Sequence, residues 1–304
     1  MKKIQVVILS RDRPQYLKQA IDSILAQTQN IFELTVSDNS EKEEVSWMIS
    51  QNYKNSDFKL IRRSPPVSSK EHFQTVISEL TAEYSILFHD DDIMHPNYIE
   101  VMGSNLPRDG VIAVGCNAFE FKNTKDLECK DKICNFTSLK RFDIKKDFLA
   151  QYLPTGNGIV PFPSYIYNTR FLKKISFPSL SAGKYSDVIL LSSLLDYGNI
   201  VWLPNVLMYY RRHDSNDSNF HNIAALIGLF NYMNINGLKK SHDSMILFRF
   251  MLWFRWIIKQ DVKNISLWRN KIVFRFLLFK LFYLIKKRIF WGVFFTRVRK
   301  RISR

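Results

Sequence analysis

Three consecutive aspartates, Asp90 to Asp92, follow an apolar run in the segment YSILFHDDDIMHPNY, residues 84–98. Neighbouring carboxylates repel one another, and carboxylates at the end of a buried strand are costly unless their charge is compensated. A divalent cation would compensate them, because Mg²⁺ and Mn²⁺ prefer oxygen ligands and commonly bridge carboxylates to substrate phosphates. The chain contains neither a GxGxxG nor a Walker sequence, so a metal at Asp90 and Asp92 is the expected means of holding a diphosphate.

Two further polar clusters end apolar segments upstream of the aspartates. IQVVILS, residues 4–10, leads into Ser10 and Arg11, and FELTVSDNS, residues 32–40, ends in a polar cluster that includes Asp38. Both segments have the β-branched, apolar character of buried strands. The sequence therefore predicts three strands that each end in polar side chains.

Helical patterns separate these strands. Apolar residues at helical spacing predict a helix over residues 13–28 and another over residues 68–80, and a strand, EYSILF, follows at residues 83–88. This β-α-β-α-β order predicts an open, mostly parallel Rossmann-like sheet, in which ligands bind beyond the carboxyl ends of the strands. The three polar clusters are thus expected to face one crevice.

The second half of the chain has a less regular pattern. Residues 111–121 predict a strand, residues 122–150 are charged and irregular, and residues 185–198 predict a helix closed by Gly198. Residues 200–216, IVWLPNVLMYYRRHDSN, predict a pair of strands with a turn at Pro204 and Asn205.

Four segments together resemble the successive motifs of the family 2 glycosyltransferases of the GT-A fold. They are VVILSRDRPQYLKQAIDSILAQT (6–28), FELTVSDNS (32–40), EYSILFHDDDIMHPNYI (83–99) and KYSDVILLSSLLDYGNIVWLPNVLMYYRRHDSN (184–216). The resemblance covers roughly residues 3 to 217, and its specificity comes from the order and spacing of the motifs. It implies a GT-A Rossmann-like mixed sheet with helices on both faces.

The resemblance implies a nucleotide site at the first three motifs. Asp38 would accept a hydrogen bond from the base of a nucleotide sugar, and Ser10 and Arg11 match positions that contact the nucleotide. Asp90 and Asp91 would face the ribose and the diphosphate.

It also implies a metal site and a catalytic base. Asp90 and Asp92 belong to the DxD motif that holds Mn²⁺ or Mg²⁺, and His213 matches a histidine that reaches back to the diphosphate or the metal. Asp187 matches the base that takes a proton from an acceptor hydroxyl, which attacks the anomeric carbon from the face opposite the leaving diphosphate.

Several of these residues also have purely structural interpretations. Asp38 could form an Asx-turn with Asn39, Asp187 could stabilise the start of a helix, and His213 could be a surface loop residue. His89 is interpreted as a packing residue. Arg211 and Arg212 are expected either to contact a diphosphate or to lie in solvent.

The predicted organisation is a GT-A domain over residues 1–218 and a helical, basic and aromatic region over residues 219–304. The first domain divides into a nucleotide-sugar-binding half, about 1–95, and an acceptor half, 96–218. Residues 241–304 carry 16 lysine and arginine residues but two acidic ones, a net of +14, whereas the whole chain is +16.

The basic residues of the C-terminal region are interleaved with large aliphatic and aromatic residues. This pattern favours attachment to an anionic membrane surface over nucleic-acid binding, and no uncharged run is long enough to span a bilayer. A helical appendage packed on the catalytic domain is the other interpretation. The three cysteines form no disulfide framework and are expected to be free thiols in a reducing compartment.

The resemblance implies a metal-dependent inverting glycosyltransferase of the hexosyltransferase type. A nucleotide sugar, expected to be UDP-linked, would be the donor, and a glycan or lipid-linked saccharide the acceptor. The expected location is the cytoplasmic face of the cell membrane, peripherally bound, in the synthesis of a bacterial surface polysaccharide such as O-antigen or capsule.

Two other functions stay open from the sequence. A sugar nucleotidyltransferase on a related sheet would release pyrophosphate, although the segment SRDRPQYL, residues 10–17, lacks the glycines that such enzymes usually carry near the N-terminus. A membrane-bound scaffold with a degenerate site would bind no nucleotide.

Overall fold

The computed structural model describes residues 4–106, 110–124, 131–153, 156–175, 185–213, 223–238, 285–288, 291–292 and 295. Its strands are β1 (Ile4–Ser10), β2 (Phe32–Asp38), β3 (Lys59–Arg62), β4 (Tyr84–His89), β5 (Ile93–Met94), β6 (Val111–Phe121), β7 (Lys140–Phe142), β8 (Tyr165–Asn168) and β9 (Asn199–Arg211). Its helices are α1 (Pro14–Leu25), α2 (Glu44–Asn52), α3 (Ser69–Glu79), α4 (Tyr98–Ser104), α5 (Lys145–Ala150), α6 (Thr169–Leu172), α7 (Ser186–Leu194) and α8 (Ile223–Ile235).

The strands of the described residues form one mixed sheet in the order β3-β2-β1-β4-β8-β6-β9-β5, with β7 beside β9. The first four strands are parallel. β8 runs antiparallel to both β4 and β6, and β9 runs parallel to β6. The predicted Rossmann-like mixed sheet is confirmed.

Both faces of the sheet are covered by helices, as predicted. Because successive residues of a strand point to opposite faces, Val6 and Ile8 of β1 join one apolar cluster and Val7 and Leu9 join another. Residues of α1, α2 and α4 belong to the first cluster, and residues of α3, α5, α7 and α8 belong to the second.

Local sequence signals explain the starts of two helices near the crevice. Pro14 occupies the first turn of α1, where its missing N–H costs nothing. Ser68 and Glu71 form a reciprocal capping box at α3, in which each side chain accepts a hydrogen bond from the other residue's backbone. Both helices begin near the carboxyl ends of strands, and these signals fix the residue at which each helix begins.

The predicted strand pair at residues 200–216 is wrong, because β9 is one continuous strand. Leu203 pairs with Cys116 and Val206 pairs with Asn117, so the two residues between them form a bulge and not a turn. Pro204 has no N–H to donate, and a bulge lets the strand absorb that loss and continue to Arg211.

The C-terminal boundary predicted at residue 218 lies outside the described residues, as does most of the basic region. The described part of that region begins with α8, whose Leu229, Phe230 and Met233 are buried in the cluster that contains α7. The hydroxyl of Tyr232 lies 2.9 Å from that of Ser192. Among the described residues, no helix combines the length and apolar character needed to cross a membrane.

Candidate active site

The parallel register of β2, β1 and β4 brings the three predicted polar clusters to one edge of the sheet. Ser10 lies opposite Asp38, and Leu9 lies opposite His89, so the aspartates continue directly from the neighbouring strand. The backbone N–H of Arg11 donates to Oδ2 of Asp90 at 3.0 Å. The polar clusters therefore lie together at one edge of the sheet, as the strand-end pattern predicted.

Arg13, which the sequence analysis did not single out, pairs with two of the aspartates. Its guanidinium lies 2.5 Å from Oδ1 of Asp90 and 2.7 Å from Oδ2 of Asp91. Burial raises the pKa of Asp90 to about 7, although Arg13 acts in the opposite direction. The signal available in the sequence was its position just before Pro14, at the start of a helix that follows a strand end.

The loop between β1 and α1 places Arg13 beside these aspartates. Asp12 adopts a left-handed conformation with φ of 53°, a region that aspartate tolerates better than most residues. Its N–H donates to Oγ of Ser40 at 2.8 Å, and its Oδ1 accepts from the N–H of Glu41 at 3.0 Å. The loop after β1 is therefore tied to the loop after β2.

Asp91 is contacted by two side chains from distant parts of the chain. Nε2 of His213, at the end of β9, lies 2.9 Å from Oδ2 of Asp91 and 3.3 Å from a guanidinium nitrogen of Arg13. Burial alone would raise the pKa of Asp91, but His89, Arg13 and His213 together lower it below its usual value. The structure thus brings His213 to the acidic triplet.

Arg211 orders the triplet from the side of β9. Its N–H donates to Oδ1 of Asp92 at 3.0 Å, and its Nε donates to the carbonyl of Asp91 at 2.7 Å. The guanidinium carbon lies 4.5 Å from the ring centroid of Tyr16 and 4.3 Å from that of Phe121. Arg211 is buried, so the expectation that it lies in solvent is wrong.

Asp92 and His89 complete a group that could hold a metal ion. Asp92 is 1% exposed, and its Oδ2 makes no hydrogen bond with the described residues. Nδ1 of His89 lies 3.8 Å from this oxygen. One ligand atom each from His89, Asp91 and Asp92 lies within 4.8 Å of the others. Burial and the neighbouring charge of Asp91 raise the pKa of Asp92 well above its usual value, and a cation would oppose this shift.

Asp38 is both a turn residue and a candidate ligand-binding residue. Its Oδ1 accepts from the N–H of Ser40 at 3.0 Å, which forms an Asx-type turn, but with Ser40 and not with Asn39 as the partner. Its Oδ2 is buried and makes no hydrogen bond with the described residues. Burial raises the pKa of this carboxyl, so a hydrogen-bond donor from a ligand would be favourable here.

A buried polar network lies next to Asp38, at the end of β2. Nε2 of His72 is 2.8 Å from Oγ of Ser37, which also accepts from Nε of Arg63 at 3.1 Å. The guanidinium of Arg63 forms a two-point pair with Glu79 at 2.7 and 2.6 Å. Burial and the charge of Arg63 lower the pKa of His72 to about 4, so this ring is neutral at pH 7.

Asp187 lies on the first turn of α7. It is exposed, and its Oδ1 accepts from the N–H of Val188 at 2.8 Å. Burial raises the pKa of Tyr210, and the charges of Asp92, Asp91 and Asp187 all add to that effect. Tyr210 is therefore within electrostatic reach of both the triplet and Asp187.

Comparison with known proteins agrees with this architecture. An uncharacterized glycosyltransferase of Nostoc sp. is 23% identical over 223 residues, a match that covers 71% of this chain. The chain spans 66% of the length of that relative, slightly less than two thirds.

Two solved structures share the fold. TarS 1-349 of S. aureus, in complex with UDP-GlcNAc, has a TM-score of 0.62 at 12% identity, over 88% of this chain and 77% of its own. A mannosyltransferase of Pyrobaculum calidifontis, in complex with GDP-Man and Mn²⁺, has a TM-score of 0.57 at 12% identity, over 93% of this chain and 85% of its own.

The model of the family described as Glycosyl transferase family 2 matches residues 5–175. This range contains the triplet, Asp38 and Arg13, while Asp187 and His213 follow it in the chain. Since the match takes in more than half of the 304 residues, the chain belongs to glycosyl transferase family 2, as its motifs predicted.

Proposed function

We propose that this chain is a metal-dependent inverting glycosyltransferase that moves a sugar from a nucleotide-diphosphate sugar, expected to be UDP-linked, to a glycan or lipid-linked acceptor. The observation that carries the proposal is the buried acidic triplet on the same sheet edge as Asp38, with His213 contacting Asp91 from the end of β9. Family membership supports the reaction class. TarS has been solved with UDP-GlcNAc and the P. calidifontis enzyme with GDP-Man, which supports a nucleotide sugar as donor.

The donor would bind along the carboxyl edge of β2, β1 and β4. Oδ2 of Asp38 would accept a hydrogen bond from a nucleobase N–H, which would satisfy a buried oxygen that has no hydrogen bond in the described residues. Ser10 and Arg11, at the end of β1, would contact the nucleotide. Asp90 and Asp91 would face the ribose and the diphosphate.

Mn²⁺ or Mg²⁺ is the proposed cofactor, and the residues present fit it. The triplet is more than nine-tenths buried, and one oxygen of Asp92 has no hydrogen bond, which is the donor chemistry that hard cations require. When bound, such an ion stabilises the negative charge of a leaving diphosphate. Arg13, already paired with Asp90 and Asp91, would add a fixed positive charge at the same place.

Asp187 is the proposed base. Its carboxylate lies on the first turn of α7 and is exposed, and it would take the proton of the acceptor hydroxyl as that oxygen attacks the anomeric carbon. The proton ends on Asp187, the new bond forms on the face opposite the nucleotide, and the nucleoside diphosphate leaves with the electrons of the broken bond. Inversion at the anomeric carbon follows from this geometry.

We extend the proposal to the basic C-terminal region, which concerns the acceptor and the cellular setting. Its lysines and arginines, interleaved with aromatic residues, would bind an anionic membrane surface, so that a lipid-linked saccharide reaches the crevice. The proposed setting is the synthesis of a bacterial surface polysaccharide on the cytoplasmic side of the membrane.

The test begins with thermal shifts of the purified chain against a panel of nucleoside diphosphates and nucleotide sugars with Mn²⁺, because a ligand of the folded state raises the melting temperature. The donor found in this way is then incubated with candidate acceptors, and both nucleoside diphosphate and pyrophosphate are measured. Metal-dependent release of nucleoside diphosphate with an inverted glycoside is the expected result. Release of pyrophosphate would instead identify a nucleotidyltransferase, and a lack of all nucleotide binding would identify a scaffold.

A further inference from the structure

We propose that Trp291 and Phe295 form an anchor that inserts into the interfacial region of an anionic bilayer, while basic residues near them contact the lipid headgroups. A membrane surface as the partner of the basic C-terminal region is taken from the proposed function. The step beyond it is that two exposed aromatic side chains, and not charge alone, attach the chain. Attachment through apolar insertion persists at high salt, whereas a purely electrostatic attachment is screened.

The two rings form one exposed apolar surface. Trp291 is 43% exposed and Phe295 is 54% exposed, and their ring centroids lie 5.8 Å apart in a stacked arrangement. A single exposed aromatic residue is common on soluble proteins, but two in contact form a patch that favours an apolar partner. Beyond its own helical turn, a Cβ atom built on Gly292 would meet no heavy atom of the described residues within 4 Å. The surface beside Trp291 is therefore open.

The indole of Trp291 has a hydrogen bond that it can keep in an apolar environment. Its Nε1–H, the one polar group of the side chain, donates to the carbonyl of Ile285 at 2.8 Å. An indole N–H that lost its water partner on insertion would cost free energy, but this one already has a partner in the chain. The same bond fixes the orientation of the ring, so less side-chain entropy is lost on insertion. Phe295 has no polar side-chain atom to satisfy.

The charge of the same segment identifies the apolar partner as an anionic bilayer. Residues 285–304 contain eight lysines and arginines and no aspartate or glutamate. Lys286 and Arg288, which precede the aromatic pair in the sequence, are exposed. Anionic headgroups complement this charge, whereas a second copy of the same segment would bring like charges together. Tryptophan and phenylalanine among basic residues are also typical of segments that lie in a membrane interface.

Trp47 provides a contrast within the same chain. It is 67% exposed, more than Trp291, and lies on α2. The segment that precedes it, residues 41–44, contains three glutamates and one lysine, all of them exposed. Because negative charge is repelled by an anionic lipid surface, exposure of a tryptophan is not sufficient for attachment. Trp47 is therefore the matched control for Trp291.

Cosedimentation of the full chain with vesicles of phosphatidylcholine, with and without phosphatidylglycerol, measures the attachment. We expect the wild type to bind the anionic vesicles at about 0.1 M NaCl and to retain part of that binding at about 1 M, where the Debye length falls to about 3 Å. The double variant Trp291→Ala/Phe295→Ala should bind about tenfold more weakly at low salt and should not bind at high salt. Lys286→Gln/Arg288→Gln should weaken only the binding at low salt. Trp47→Ala should match the wild type under both conditions.

Insertion itself is measured by tryptophan fluorescence with anionic vesicles that contain phosphatidylcholine brominated in its acyl chains. Bromine quenches a tryptophan that reaches the boundary between headgroups and acyl chains. We expect Trp291→Phe, which keeps an aromatic ring and the fold, to bind the vesicles but to show less quenching than the wild type. Trp47→Phe should show the quenching of the wild type. The phenylalanine variants keep the test decisive even if the double alanine variant folds poorly.

Three results would each overturn the inference: wild-type binding that disappears at high salt, equal binding by the double alanine variant, or unchanged quenching in Trp291→Phe. A wild-type chain that binds a nucleic-acid duplex but no vesicles would overturn it as well. Because neither measurement needs turnover, insertion as expected without release of nucleoside diphosphate would refute the proposed reaction alone. Sugar transfer to a soluble acceptor without vesicle insertion would refute the aromatic anchor alone.

Discussion

The carboxylates of this protein lie in two contrasting environments. Those of the triplet are buried and held by Arg13, Arg211 and His213. Asp187 is exposed on the first turn of a short helix. A buried, held carboxylate suits the fixed electrostatics of a donor site, whereas an exposed one can meet an acceptor and take its proton. The contrast implies that donor binding and proton transfer depend on different residues.

Asp187→Asn gives the largest expected effect of all. Because an amide cannot accept the proton, we expect turnover to fall by about 10²–10⁴-fold, with unchanged nucleotide affinity and an unchanged melting temperature, as the side chain is exposed. Release of nucleoside diphosphate in the presence of acceptor measures the loss. Asp196→Asn, an exposed aspartate 2.6 Å from Lys145, is the matched control and should keep full activity. Full turnover by the Asp187 variant would show that the exposed carboxylate is not the base.

Arg211→Met tests whether the buried triplet depends on Arg211 for its stability. Removal of this guanidinium leaves the carbonyl of Asp91 without its donor and takes away a positive charge near Asp91 and Asp92, although Arg13 remains beside the triplet. We expect the free energy of unfolding to fall by about 3 kcal/mol in urea denaturation. Arg212→Met, at the adjacent residue, is the control and should cost less than about 1 kcal/mol, because its pair with Glu120 is partly exposed. Equal effects would mean that Arg211 does not order the triplet.

The sequence predicted some features of these regions and not others. β1 and β6 have their predicted bounds, and Ser10 and Asp38 lie where strand ends in a parallel sheet require them. These features follow from local periodicity and from one topological rule. Elements and strand ends were therefore predictable in parts of both halves of the domain.

Features set by tertiary geometry could not be predicted in this way. The pairing of Arg13 with the triplet depends on the left-handed conformation of Asp12, which is fixed by the loop after β2. Whether His89 faces the core or Asp92 depends on the last residue of a strand, where the alternation of sides ends. Pro204 looked like a turn because a bulge and a turn have the same local sequence signals.

Asp38→Asn should separate binding from stability within the buried region. The amide presents an N–H where the base N–H would bind, so we expect nucleoside diphosphate affinity to fall about 10–100-fold in calorimetric titration. The melting temperature of the ligand-free protein should not fall, because burial already disfavours the charged carboxyl. Asp57→Asn, an exposed aspartate before β3, should change neither value. Unchanged affinity would remove Asp38 from the donor site.

The smallest expected effect is that of His72. It tests whether the buried polar network at the end of β2 makes the free energy of unfolding depend on pH. Its pKa is lowered to about 4 in the folded protein, against about 6.5 in the unfolded chain. As the pH falls from 7.0 to 5.5, the unfolded chain takes up a proton that the folded protein does not. Stability should therefore decrease by about 1 kcal/mol over this range, with no further loss from this group below pH 4.

Urea denaturation of the wild type and of His72→Asn at several pH values measures this contribution, which is the difference between the two pH slopes. The variant should lose stability at pH 7, because the contact with Ser37 is disturbed, and yet show the shallower decline between pH 7.0 and 5.5. Parallel slopes would mean that His72 titrates normally in the folded protein. The network at the end of β2 would then be open to water, and the nucleotide half would resemble the exposed environment of Asp187 more than that of the triplet.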